Sequence, residues 1–199
     1  MTWSWYAAVL LTSALLSVDA TAQPQSVQPG ASPYAGLETR EIKSLSKDDI
    51  SELLAGGGWR LALPAELNGK PGPLHLLELS EELDLSTDQI KSLEALYADM
   101  REDAIVTGKR FIQAEAALSQ AFKRNELDEK TLRKLVTNAK NLRAELRFIH
   151  LSRHLRTPDL LTEAQVKQYN YLRGYSADPC ENVPSGHDPT MWRRHNGCE

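Results

Sequence analysis

Cysteine is nearly absent. Only Cys180 and Cys198 occur in 199 residues, both at the far C-terminal end. In an oxidising compartment such a pair closes the tail by a disulfide, worth roughly 3 kcal/mol in the chain-entropy model. A zinc site joining both thiols to His187 and His195 is the sharper alternative, but the Cys180–His187 spacing matches no compact zinc pattern. Aromatic residues are scarce too, at 7% of the chain. Together with the length this suits one modest domain. No phosphate-binding glycine loop, dinucleotide fingerprint or serine nucleophile elbow occurs, so no enzyme class is indicated. Neither sign of charge dominates. With 23 basic and 27 acidic residues the formal charge is -4, and no global basic field favours nucleic acid.

Long apolar runs are missing except at the start. "WYAAVLLTSALLSV" is short and early for a membrane span, and small residues follow at Ala20 and Ala22. That pattern fits a signal peptide, residues 1–22, cleaved after Ala22. No Lys or Arg precedes the run, so an uncleaved anchor is the alternative. Export to the periplasm is the expectation. Residues 23–44 begin rich in Pro, Ser, Gln and Gly and read as a flexible leader. Residues 45–175 read as a helical domain and 176–199 as a cysteine-containing tail.

What the chain does have is helix starts. Leu45-Ser46 with Ile50, Leu85-Ser86 with Ile90, Leu127-Asp128 with Leu132, and Leu161-Thr162 with Val166 each set an apolar residue around an N-cap, which is a hydrophobic staple. Gln89 and Gln165 add capping boxes to Ser86 and Thr162. Ile90, Leu93, Tyr97, Met100, Ala104, Phe111 and Leu118 keep helical spacing, as do Leu132, Leu135, Ala139, Leu142, Leu146 and Ile149. The pattern predicts short helices at 47–55 and 74–83, a long one from 87 to about 125 with Gly108 as a bend point, a second ended by Pro158, and a last one over 163–173. Residues 56–73 read as a loop. The short "KRNELD" link predicts an antiparallel hairpin of the two long helices. No strand pattern competes, so the fold class is all-α. The hairpin's apolar stripe suits a homodimer; a monomeric bundle folded back on itself is the alternative.

The segments "LSTDQ" and "LTEAQ" then bear on identity. In this order (export signal, short helix, motif, hairpin, motif, short helix) the chain resembles the Spy/CpxP superfamily of periplasmic proteins, which carry paired Leu-Thr-x-x-Gln motifs. The resemblance spans about residues 74–173, and the first motif departs from it by Ser for Thr. The residue types of the motif are those that start a helix, so it reads as a capping device. The resemblance implies one of two functions. One is an ATP-independent chaperone or envelope-stress modulator that cradles unfolded clients as a dimer. The other is a heavy-metal sensor related to the nickel/cobalt resistance sensor, which reports to a membrane-bound signalling partner.

On the sensor pattern, His150 and His154 stand where a His and a Met four apart would bind metal. His75 stands near the early-helix histidines, with Glu78 one turn on, and Glu94 is the analogue of the carboxylate ligand. Four residues apart on a helix is one face. Imidazoles with a carboxylate suit Zn, Ni, Co or Cu. The chain departs from the pattern in having one early histidine and no Met at 154. Hairpin arithmetic brings Asp99, Met100 or Asp103 opposite the pair, with Glu94 further along. The competing reading makes His150 a half-buried structural histidine on the ridge of Leu142 and Leu146, and His154 a favourable charge at a helix C-terminus. Charged and apolar residues alternate along the hairpin, and residues 130–156 are strongly basic. That supports client or partner binding, or is an ordinary solvated face.

Overall fold

The computed structural model describes residues 30, 32–125, 127–176, 180, 183–195 and 197–198. The expected signal peptide lies outside the described residues, as do part of the leader and parts of the tail. Residues Met1–Gly36 and Leu37–Glu199 form separate compact units. Among the described residues of the second, seven α-helices follow one another: α1 (Lys47–Ala55), α2 (Leu63–Glu66), α3 (Pro73–Glu78), α4 (Thr87–Arg124), α5 (Glu129–Arg156), α6 (Glu163–Leu172) and α7 (Pro189–His195). Among the described residues there is no strand, and no helix is long and apolar enough to cross a membrane.

All four anticipated caps form. Ser46 accepts from the Asp49 amide, Ser86 from Gln89, Asp128 from Thr131 and Thr162 from Gln165. Three are full capping boxes; α1 uses Asp49 for the return bond. Each satisfies amides that a helix start leaves unpaired. α4 spans 38 residues, about 57 Å at the standard rise. Asn125 closes it with φ 55, a left-handed conformation that Asn tolerates. α5 stops at Arg156, two residues before Pro158, as the proline requires.

α4 and α5 pack along one another as a hairpin, and α1 and α3 lie on α4. One core cluster joins Leu53 of α1 to Met100, Ala104 and Phe111 of α4 and to Leu142, Leu146 and Ile149 of α5. A second groups Leu76, Leu83, Leu93 and Tyr169. Gly108 has a packing role that the sequence did not reveal: a Cβ there would lie 2.7 Å from the Leu53 carbonyl oxygen, so its absence lets α1 approach α4.

Four segments differ from the sequence pattern, one being the tail, where α7 follows the helix expected to be the last. The loop 56–73 contains α2, started by a proline in its first turn. α3 ends at Glu78 and gives way to turns before Ser86. Within the leader, Ile42 is buried in the first core cluster, because an isolated apolar residue in polar surroundings carries no period to mark it. Cys180 and Cys198 form a disulfide, so neither is a free thiolate for the zinc alternative with His187 and His195.

A histidine cavity between the early segments and the hairpin

Four early segments and the hairpin enclose a cavity of about 610 Å³. Met100 and Tyr97 enter it from α4, His150 and His154 from α5, His75 from α3, and Glu66 from α2. The loop Gly56–Arg60 forms another wall.

That loop is held in place from several sides. Trp59 adopts φ 40 and Arg60 φ 57, a backbone region costly for side chains of this size. The Trp59 amide donates to Glu52 Oε1 at 2.7 Å and its indole to Asp49 Oδ1 at 2.8 Å. Its ring packs on Phe111, with the Arg143 guanidinium 5.0 Å from its centroid. Hydrogen bonds from Ser46 and from Trp59 hold the Asp49 carboxyl below its usual range.

The opposite wall is stitched to the end of α5. Thr157 donates to the Pro71 carbonyl at 2.5 Å. His154 Nδ1 lies 2.7 Å from the Lys70 carbonyl oxygen. A carbonyl can only accept, so Nδ1 carries the proton, and in a neutral ring the Nε2 lone pair is left free. Gly72 sits against that Nε2: a Cβ there would lie 2.8 Å from it.

His150 is 2% exposed, and its Nε2 is buried without a hydrogen-bond partner. Burial, then the neighbouring His154 and Arg153, lower its pKa to about 4, against a smaller opposing effect of the Gly57 backbone. The ring is therefore neutral at physiological pH. Glu66 has a similar orphan. Its Oε1 accepts from the Tyr169 hydroxyl, and from Tyr175 at 3.2 Å, but Oε2 is buried without a hydrogen bond. Oε2 lies 3.8 Å from His154 Nδ1, and Arg173 Nε lies 3.7 Å from Oε1. Burial, reinforced by the Glu66 contact, pushes the Tyr169 hydroxyl pKa up.

The sequence-derived ligand candidates divide. His150, His154, His75 and Met100 line this one cavity. His75 Nδ1 pairs with Glu78 at 3.0 Å, and both are partly exposed. Asp103 pairs with Arg153 at 2.5 Å. Glu94 and Asp99 are exposed on α4 and are not in the cavity lining. Glu66 is the buried carboxyl group there, and sequence reasoning passed over it. It sits in a segment read as a loop, and no spacing relates it to the histidines. Among the described residues no three His, Cys, Asp or Glu side chains meet closely enough to hold a metal ion as the structure stands. The chemistry available is thus the neutral imidazole of His150 beside that of His154, a third imidazole across the cavity, and a buried carboxyl group behind His154.

At the start of α4 the two motif glutamines meet. Gln89 Nε2 donates to Gln165 Oε1 at 2.9 Å, and Gln165 Nε2 lies 3.2 Å from Gln89 Oε1. The same amides reach the Leu160 and Leu83 carbonyls at 2.8 and 3.2 Å. The motifs therefore cap their helices and also clasp each other.

These features define a helical hairpin protein with a partly closed histidine cavity. Compared with protein-family models, with curated proteins and with solved structures, the chain matches none of them.

Proposed function

We propose that this is an exported, periplasmic protein of the Spy/CpxP type that binds a divalent transition metal (Zn, Ni, Co or Cu) through His150 and His154. The observation that carries this reading is the buried, unpartnered Nε2 of His150 in a cavity that His154 also lines. An unsatisfied buried nitrogen costs about 1–3 kcal/mol, and a metal ligand must be unprotonated, as His150 is. His154 has the second feature of a ligating histidine, an outer ring nitrogen held by a backbone carbonyl. His75 is the third donor on this reading. It reaches the pair by a shift of α3 that releases Glu78, and that movement is the two-state change a membrane-bound partner reads. The assembly is a homodimer on this reading.

Titration of the protein with Zn, Ni, Co and Cu salts by calorimetry tests it. The parent binds one ion per chain with a clear preference among the four, and His150→Ala/His154→Ala loses that binding while keeping its helical circular dichroism. Equal binding by the double variant removes the site.

A second reading, an ATP-independent holdase or stress modulator without metal, is favoured by the exposure of Phe148 and Leu155 on basic α5. Suppression of client aggregation that persists in chelator and survives the double histidine change would select it.

A further inference from the structure

α5 has two apolar faces. The inner one is the core stripe of Ala139, Leu142, Leu146 and Ile149. The outer one runs through Thr137, Asn141, Ala144, Phe148, Leu151 and Leu155, alternating steps of four and three residues, and is apolar from Ala144 on, with Leu151 half-buried. That is the heptad spacing of a coiled-coil seam. Phe148 is 64% and Leu155 71% exposed, and one heptad apart they share a face with Ala144 and Leu151 rather than standing singly. Asn141 is a polar residue inside the seam, the kind that fixes register between paired helices.

Charge selects the partner. Along one flank of the seam stand Arg133, Lys140 and Arg147, all exposed. Arg133 pairs with Glu129 of its own helix at 3.2 Å. Lys140 and Arg147 have no ion-pair partner among the described residues. Along the other flank stand Asn138, Glu145 and Ser152. A second copy laid antiparallel would set the basic row against itself. Laid parallel, it would oppose three cations with a single carboxylate. Both arrangements leave like or unmatched charges beside the seam, which works against pairing. α4 offers no such row, because its acids and bases are interspersed and equal in number.

We propose that the outer face of α5 is a docking surface for an amphipathic helix of another protein, with an apolar seam of matching heptad spacing and Asp or Glu at its flanks. Phe148 and Leu155 supply the anchors, and Lys140 and Arg147 set orientation and selectivity. This surface is distinct from the histidine cavity and does not depend on metal.

The test uses two synthetic helical peptides with the same leucine seam, one flanked by Glu and one by Lys, and fluorescence anisotropy with the full chain. The Glu peptide binds. Its affinity falls at least about tenfold in Phe148→Glu, and it weakens at about 0.5 M salt, where surface charges are screened. In Lys140→Glu/Arg147→Glu, which leaves the seam and the core untouched, the preference reverses to the Lys peptide. Equal binding of both peptides by the parent, binding of neither, or an unchanged preference in the charge-reversed variant overturns the proposal. A dimer in solution with Phe148 protected would assign the face to a second copy. Binding of anionic vesicles that Phe148→Glu abolishes, with neither peptide bound, would assign it to a lipid surface.

Discussion

The two ends of the cavity-bearing half of the hairpin handle buried polar groups in opposite ways. At the motif end Gln89 and Gln165 place their amide groups between two helix starts and two carbonyls, and both glutamines are matched. On the histidine cavity wall, His150 Nε2 and Glu66 Oε2 are buried and unmatched; outside the cavity lining, Arg153 Nε and Asn170 Oδ1 of α6 are too. Buried polar atoms are ordinarily paired because leaving them bare costs stability. A satisfied network is a structural joint. An unsatisfied one on a cavity wall is where the proposed function sets a ligand. The same residue class, a polar side chain inside a helical protein, is thus a joint at one end and, on the proposed function, a ligand at the other.

That contrast can be broken or sharpened by substitution. The largest expected effect is at the motif end: Leu93→Ala, at a fully buried position, lowers unfolding free energy by about 3 kcal/mol in a denaturant titration. The next comes from pH. His150 titrates near 4 in the native state and near 6.5 unfolded. The unfolded chain therefore takes up a proton first, and stability contributed by the neutral ring falls as pH drops from about 6.5 to 4, by on the order of 3 kcal/mol. Below that window the loss is complete; above it the term is constant. Thermal melts of parent and His150→Leu across the window should diverge, the variant lacking this slope. Third, Gln89→Ala leaves Gln165 without its partner and costs about 2 kcal/mol. A double-mutant cycle with Gln165→Ala should give a coupling of about 1 kcal/mol. The smallest effect is the most telling. His150→Leu at neutral pH without metal changes stability by less than about 1 kcal/mol, because removing the orphaned Nε2 offsets the lost contact with the Gly57 backbone. A loss as large as that of Leu93→Ala would place His150 among the structural joints.

Local signals carried the fold well. Ser46, Ser86, Asp128 and Thr162 are caps because each is a short polar residue between an apolar entry and an apolar turn, and that information lies within five residues. The hairpin followed from periodicity and a short link. What stayed hidden depends on contacts far apart in sequence. Gln89 and Gln165 are 76 residues apart, and nothing in either capping box announces the other. Glu66 meets Tyr169 across 103 residues, so a loop position gave no hint of a buried carboxyl group. Gly108 reads as a helix weak point in isolation and as a contact with α1 in the fold. The pairing of His150 with His154 was legible from their spacing alone. Their setting was not, because burial and the Lys70 carbonyl are supplied by tertiary structure.

The most direct measurement is nitrogen-edited NMR of the histidine rings during a zinc titration at neutral pH. The Nε2 signals of His150 and His154 should shift together at one equivalent, with His75 following, while the side-chain amides of Gln89 and Gln165 stay where they are. Zinc that moves only His187 and His195 of the tail, leaving His150 and His154 unchanged, would contradict the assignment of the cavity as a metal site.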